Sequence, residues 1–187
     1  MDFASILPAL VARFDEHEIR YALIGGLAMA LRGVQRTTLD VDFILLSEDL
    51  TVCHSVLESL GYQRAYHSDN VSHYSGIQPA LGRIDLLHAF RPATLGMLDR
   101  AERVPFTDGC SIPVVHLEDL IGLKVQAACN DPSRAASDWS DIHQLARHAG
   151  STGQALDWVL IEDYLALFDQ SHQLTTLRQL HGTSQPQ

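Results

Sequence analysis

The chain has 187 residues and a formal net charge of −10, and 46% of its residues are hydrophobic. This length fits one ordinary domain, or one domain with a helical appendage, and the apolar fraction is sufficient for a core. The acidic balance means that long-range electrostatics do not favour binding to nucleic acid. A local basic patch formed by Arg20, Arg32 and Arg36 is one alternative, and solvated or ion-paired arginines are the other.

Cysteine usage and the N-terminus indicate the compartment. Cys53, Cys110 and Cys129 are odd in number and lack C-x-x-C spacing, which favours a reducing, cytoplasmic environment over a disulfide framework. No basic region precedes an apolar run at the start, so no signal peptide is expected. No apolar stretch is long enough to span a bilayer, so we expect no membrane partner. The ten histidines are scattered and form no recognised metal motif.

The front half of the chain alternates helical and strand patterns. Leu7, Leu10, Val11 and Phe14 follow helical spacing and predict an opening amphipathic helix. The expected elements that follow are a strand over 21–24, a short helix over 27–32 stopped by Gly33, a strand over 39–46, a helix over 50–60 closed by Gly61, strands over 62–66, 71–74 and 83–88, a helix over 94–101, and a hairpin over 104–112 whose Asp108-Gly109 pair supports the positive φ angles of a tight turn.

The back half is helical by pattern. One helix runs from Leu117 to the break at Asn130-Asp131-Pro132, a second begins near Ser137 as N-cap and ends at Gly150, and a third covers 156–168. The polar segment from about residue 172 is expected to fray. The chain therefore divides into an α/β core over residues 1–115 and a C-terminal helical region over 116–187. This boundary is soft and also compatible with one domain.

The most specific motif is Gly25-Gly26 followed by Arg36-x-Thr38-x-Asp40-x-Asp42. Side chains alternate along a strand, so Asp40 and Asp42 share one face, with Cα atoms roughly 6.5–7 Å apart. Two like charges on one face need a counter-charge, and Mg²⁺ is the usual one, held by one or two carboxylates plus phosphate oxygens. Glycines without Cβ atoms let backbone N–H groups approach a phosphate, and the dipole of the following helix adds to this.

Asp85 is the candidate third carboxylate because it is one acid in an otherwise apolar strand, where an unpaired charge is costly. A third carboxylate allows two metals to act on the attacking and leaving oxygens. Taken singly, each feature has a simpler explanation: D-x-D is common on exposed sheets, a glycine pair makes turns, and Asp85 could cap a helix or pair with Arg83. Their joint occurrence favours the functional interpretation.

These residues resemble the nucleotidyltransferase superfamily of the DNA polymerase β type, and in particular its AbiEii/AbiGii toxin-like branch. The similarity continues in Leu117-Glu-Asp-Leu-Ile-Gly-Leu-Lys124-Val-Gln-Ala127 and in Arg134-x-x-x-Asp138-x-x-Asp141-Ile-x-x-Leu145, and it covers residues from about 21 to 147. It implies a minimal nucleotidyltransferase core with a mixed sheet flanked by helices, of α/β (α+β) class, and a helical region that completes the site.

By this resemblance, each motif residue has an implied role. Asp40, Asp42 and Asp85 are the catalytic acids and hold two Mg²⁺ ions, and Gly25 and Gly26 contact the triphosphate of an NTP donor. Arg36, Thr38, Lys124 and Asp138 are the further nucleotide-binding residues. The chain departs from the pattern at Ser137, where a lysine often precedes the aspartate, and at Leu27, where serine is frequent. On its own, Lys124 could instead lay its stem along the core and expose its amine.

The implied reaction is transfer of a nucleoside monophosphate from an NTP to a hydroxyl or phosphate. The acceptor stays open among tRNA, a protein and a small molecule such as an antibiotic, and a toxin would have an antitoxin partner. The alternatives are a non-catalytic module that binds a nucleotide or a partner protein, and acids that are purely structural. A protein that binds NTP and metal without releasing pyrophosphate would support the first alternative.

Overall fold

The computed structural model describes residues 2–183, which form two compact units. The first comprises residues 2–31 and 36–115, and the second comprises residues 32–35 and 116–183. None of the helices in the described part of the chain has the length and apolar character that a bilayer span requires.

The first unit is a seven-stranded mixed sheet with four α-helices. Its elements are α1 (Phe3–Glu16), β1 (Tyr21–Ile24), α2 (Gly25–Leu31), β2 (Asp40–Leu46), α3 (Leu50–Ser59), β3 (Tyr62–His67), β4 (Val71–Gly76), β5 (Arg83–Ala89), α4 (Pro92–Arg100), β6 (Glu102–Thr107) and β7 (Cys110–Val114). The strand order is β3-β4-β5-β2-β1-β7-β6. The pairs β2–β5 and β1–β7 are parallel and the others antiparallel, so the expected mixed α/β sheet is confirmed.

The core of this unit lies between the sheet and the helix that opens the chain. The four apolar residues that predicted α1 are all buried, as are all four residues of β1. Phe14, Tyr21 and Phe43 pack edge to face, with ring centroids 4.9 to 5.7 Å apart. Such aromatic contacts fix ring orientation as well as burying apolar area. They anchor the strand that carries Asp40 and Asp42.

Two local expectations for this unit need correction. Helix α2 begins at Gly25, so the glycine pair forms its first turn instead of preceding a helix that starts at Leu27. In the β6–β7 hairpin only Gly109 has a positive φ, of 78°, and Asp108 does not. A register shift between Pro105 and Thr107 adjusts the strand geometry, so the turn does not need two left-handed residues.

The second unit is helical, with α5 (Leu117–Asn130), α6 (Ala135–Thr152), α7 (Trp158–Ala166) and α8 (Leu174–Gly182). Buried polar contacts join them. Glu118 accepts the backbone N–H of Asp157 at 2.8 Å, and the Tyr164 hydroxyl donates to Asp119 at 2.7 Å. Both acids lie in the first turn of α5, where the helix dipole favours negative charge.

Two expectations for the helical region are also wrong. Ser137 is not an N-cap, because α6 begins two residues earlier, after a turn in which the Asp131 side chain accepts from the backbone and hydroxyl of Ser133. The segment expected to fray forms α8, because Leu177 is fully buried and His181 hydrogen-bonds the Gln154 carbonyl at 2.9 Å. The last part of that segment, residues 184–187, lies outside the described residues.

Candidate active site

The three predicted acids lie on two neighbouring strands in the middle of the first unit. In the parallel β2–β5 pair, Asp42 is the direct partner of Asp85, and Asp40 is the partner of Arg83. Because neighbouring strands lie about 4.8 Å apart, the carboxylates of Asp42 and Asp85 are close neighbours. The structure therefore brings together residues that are 43 positions apart in the sequence.

The opposite face of the same strands is the hydrophobic core. Val41 and Phe43 on β2 and Ile84 on β5 are fully buried, whereas Asp40, Asp42 and Asp85 are only half-buried. Tyr74 on β4 is also on the core side, and burial raises the pKa of its phenol to about 12. The acids thus stand on the polar face of a sheet whose other face is apolar, as the alternation in the sequence predicts.

Gly25 brings the backbone at the end of β1 against Asp42. Its φ is +69°, and a Cβ atom placed there would lie 2.7 Å from the Asp42 carboxyl carbon. At Gly26 a Cβ would lie 2.9 Å from the Thr38 Cβ and 3.4 Å from the Cγ of the exposed Arg36. The glycine pair is therefore needed for close packing against the residues of the D-x-D motif.

We expect Gly25→Ala to lose most of the nucleotidyl transfer that the family resemblance implies. It should destabilise the first unit by more than the about 1–3 kcal/mol that a residue in a disfavoured backbone region costs, because the added Cβ also meets the Asp42 carboxylate. Gly109→Ala is the matched control, because Gly109 has a similar φ of +78° but only open space where a Cβ would stand. Measured by pyrophosphate release and denaturation, the control should carry only the backbone cost. Equal activity in the two variants would contradict a specific role for the contact between Gly25 and Asp42.

Thr38 holds the first acid in place. Its hydroxyl lies 2.9 Å from the Asp40 Oδ1 and 3.1 Å from the Asp40 carbonyl. The hydroxyl donates to one of these oxygens at a time and restricts the Asp40 carboxylate to a narrow set of orientations. The structure therefore places Thr38 as a support for Asp40, in addition to the nucleotide contact that the family resemblance implies.

Asp85 has two basic neighbours, one of which the sequence interpretation missed. Arg83 lies 3.1 Å from its Oδ2, which was an expected alternative, and His73 Nδ1 lies 2.7 Å from its Oδ1. His73 is the register partner of Asp85 on β4. Strand alternation alone predicts that His73 lies on the other face of β4 from the buried Ser72 and Tyr74. Its pairing with Asp85 also requires the strand order, which the sequence does not state.

Lys124 lies in the second unit, where it bridges two buried acids of α6. Its Nζ lies 2.8 Å from Asp138 Oδ1 and 2.7 Å from Asp141 Oδ2. The Lys124 side chain is 12% exposed and the two carboxylates at most 2%, so the amine is held by the two acids and only a small part of the side chain meets solvent. Lys124 is therefore ion-paired with Asp138, and Asp141 is a second partner to which the sequence interpretation gave no role. Lys124 is also the only lysine in the sequence.

The acids of the first unit fit a metal that arrives with its substrate. Within residues 2–183, no three His, Cys, Asp or Glu side chains converge as a ready-made metal cage. Mg²⁺ does not require one, since it is usually bound by one or two carboxylates with phosphate oxygens and waters completing its shell. Half-buried Asp40 and Asp42 on one face provide such a partial set of hard oxygen ligands.

Solved structures with the same fold are nucleotidyltransferases or resemble them. The antibiotic-resistance factor ANT(2'')-Ia is 16% identical, with a TM-score of 0.64, over 97% of this chain and all of that one. A nucleotidyltransferase-like protein from Paracoccidioides brasiliensis (18% identity, TM-score 0.54) covers 93% and 91%. The lincosamide adenylyltransferase LnuA (17%, TM-score 0.54) covers 74% and 93%. The fold is therefore that of a nucleotidyltransferase.

The family assignment is more specific. The model of the nucleotidyl transferase AbiEii toxin family, of type IV toxin–antitoxin systems, matches residues 8–186. The chain belongs to this family and is a nucleotidyltransferase. No curated protein matches it significantly.

Proposed function

We propose that the chain is the toxin of a toxin–antitoxin pair and transfers a nucleoside monophosphate from an Mg²⁺-bound NTP to a hydroxyl or phosphate acceptor. The observation that carries this proposal is the pairing of Asp42 with Asp85 on adjacent central strands, with Asp40 on the same face of β2. Like charges opposite each other destabilise a sheet. Arg83 already offsets the charge of Asp85, and a cationic ligand bound during function would account for three acids on one face of the sheet.

The site residues of the first unit would have different roles in the transfer. Asp40, held by Thr38, and Asp42, packed against Gly25, would hold the divalent metal with the phosphates of the NTP. That metal would neutralise charge that develops on the phosphoryl group. Asp85 is directed by His73 and Arg83 and would receive the proton of the attacking hydroxyl. Catalysis then consists mostly of positioning and charge neutralisation, as is usual for phosphoryl-type transfer.

Further nucleotide contacts follow from the resemblance to the family. Gly25 and Gly26 would contact the triphosphate through backbone N–H groups, and exposed Arg36 beside Gly26 would neutralise phosphate charge. Lys124 and Asp138 are the nucleotide-binding residues proposed in the second unit, with the ion pair between them fixing the position of the amine. As the toxin of a toxin–antitoxin pair, the protein would act in the cytoplasm.

Family membership does not identify the acceptor of the transferred nucleotide. A toxin of a type IV system would be controlled by an antitoxin. Its acceptor would be tRNA or a protein, as the family resemblance implies. ANT(2'')-Ia has been solved with adenylyl-2''-tobramycin and LnuA with lincomycin, so the same fold accommodates small antibiotics. We favour the toxin function because the family model spans nearly the whole chain, whereas those structures are less than 20% identical to it.

Thermal stability with ATP, CTP, GTP or UTP, with and without Mg²⁺, tests the donor site. Ligands that bind the native state raise its unfolding midpoint by mass action. We expect one or more NTPs to raise the midpoint only when Mg²⁺ is present, and Asp40→Asn/Asp42→Asn to remove the shift. A shift of equal size in the double variant would contradict the metal assignment. NTP binding without pyrophosphate release, across tRNA, protein and antibiotic acceptors, would favour the non-catalytic module.

A further inference from the structure

A polar row crosses the sheet on the face that carries the acids. Strand register aligns Asp42 on β2, Asp85 on β5, His73 on β4 and Tyr66 on β3. Neighbouring strands are about 4.8 Å apart, so this row extends about 14 Å from Asp42 to Tyr66. On its other side, Asp42 pairs with Ile24 at the end of β1, beside the glycine pair. The NTP-binding glycines and the residues His73 and Tyr66 therefore lie on opposite sides of the acids.

The imidazole of His73 is held from two directions. An ionised carboxylate can only accept hydrogen bonds, so for the 2.7 Å contact with Asp85 Oδ1 we assign the proton to His73 Nδ1 as the donor. The Tyr66 ring stacks on the imidazole, with centroids 5.4 Å apart and planes inclined by 28°. A ring fixed by one hydrogen bond and one stacking contact has little freedom to rotate. It can therefore fix the carboxylate that it contacts.

The two partners of Asp85 differ in how firmly they hold it. The Arg83 side chain is 57% exposed and its ion pair is weakened by solvent screening. The His73 side chain is 38% exposed, lies on a strand paired with β5, and is covered by Tyr66. Charge-assisted hydrogen bonds of this length are among the strongest that a side chain makes. His73 therefore makes the shorter and less exposed of the two contacts, and Arg83 is the partner that an incoming phosphate attracts more readily.

We propose that His73 is a positioning residue on the acceptor side of the site. It engages Asp85 Oδ1, which directs Oδ2 toward the attacking hydroxyl, and Tyr66 keeps the imidazole in place. This inference rests on the proposed function. In the transfer, the acceptor oxygen forms its bond to the α-phosphorus and its proton passes to Asp85. The bond from the α-phosphorus to the bridging oxygen breaks, and its electron pair leaves with pyrophosphate.

The test compares two substitutions at residue 73. His73→Asn keeps an N–H donor near the position of Nδ1, whereas His73→Leu keeps bulk and removes the donor. Partners of catalytic or metal-binding side chains typically contribute 10- to 100-fold. We expect His73→Leu to lower kcat about 10- to 100-fold with the KM for NTP unchanged, and His73→Asn to recover most of the loss. Turnover is followed as pyrophosphate release from each NTP with Mg²⁺. Total tRNA is the acceptor, and water is the acceptor that competes with it.

Asp85→Asn is the reference that separates this inference from the proposed function. Full turnover in Asp85→Asn would remove the third acid from the proposed site. An inactive Asp85→Asn beside a fully active His73→Leu would leave the site intact and overturn the role of His73. Equal losses in the leucine and asparagine variants would overturn it as well, because the donor would then not matter.

A second measurement does not depend on turnover. In ¹⁵N-histidine-labelled protein, the imidazole signals of His73 are assigned by their absence from the His73→Asn spectrum. We expect the pattern of an imidazole that is protonated at Nδ1. A neutral ring protonated only at Nε2 cannot donate to Asp85, and that result would overturn the inference even if no acceptor supports turnover.

Discussion

Asp42→Asn is expected to lower nucleotidyl transfer by on the order of 10³-fold, which is the upper range for losing one preorganised group that stabilises transition-state charge. The substitution keeps the size and hydrogen-bonding shape of the side chain and removes its charge. Asp42 stands at the centre of the proposed site, because Gly25 packs on one side of it and Asp85 pairs with it on the other. The measurement is pyrophosphate release with Mg²⁺ and each NTP.

The same variant should keep the fold of the natural protein. Any repulsion between Asp42 and Asp85 that the substitution relieves is small, because Arg83 already offsets the charge of Asp85. Loss of activity together with unchanged or raised stability identifies a residue retained for function. Asp108→Asn is the matched control, because Asp108 is an exposed carboxylate in the β6–β7 turn. Undiminished transfer in Asp42→Asn would overturn the proposed roles of the acids.

Lys124→Met is expected to destabilise the helical unit by about 3–5 kcal/mol, the usual cost of removing one partner from a buried ion pair. Methionine fills a similar volume, so the loss is mainly electrostatic. Without the amine, two carboxylates that are 1% and 2% exposed remain close together, and the exposed Arg134 is 3.9 Å from Asp138. Removing the two carboxylate charges with Asp138→Asn/Asp141→Asn in the Lys124→Met background should recover part of the stability.

Urea denaturation followed by tryptophan fluorescence measures this effect in the helical unit. Both tryptophans of the sequence, Trp139 and Trp158, lie in the helical unit. Urea is the suitable denaturant because it does not screen charges as a salt would. Arg13→Met is the control for a surface pair. Because the exposed contact between Arg13 and Glu16 lies in the first unit, the denaturation of this variant is followed by circular dichroism, and the contact should contribute about 0–1 kcal/mol. A loss in Lys124→Met no larger than in the control would show that the carboxylates are not dependent on the amine.

The parts of the fold that depend on local pattern were predictable from sequence. Helical spacing of apolar residues gave α1, and the alternation of acids with Val41 and Phe43 gave the two faces of β2. The helix break at Pro132 follows from the missing N–H and fixed φ of proline. These features are decided by neighbours in the chain, so one sequence contains the information.

Features that depend on distant partners were less predictable. The contact of His73 with Asp85 requires the pairing of β4 with β5, and the contact of Lys124 with Asp141 requires the packing of α5 on α6. Helix α8 was missed because its burial rests mainly on Leu177, which is too weak a periodic signal in a polar segment. The start of α6 was predicted too late because Ser137 is a favourable N-cap residue. The turn that Asp131 stabilises ends before Ser137, so the helix begins earlier.

The single lysine has a practical consequence for labelling chemistry. Apart from histidine, every other basic side chain in the sequence is an arginine, so reagents that acylate amines have only one side-chain target besides the chain terminus. In the folded protein that amine is ion-paired with both Asp138 and Asp141. The rate of acylation at Lys124 would therefore report how often these ion pairs open, at one defined position and without an engineered probe. It would do so in the same protein preparation that is used for the activity measurements.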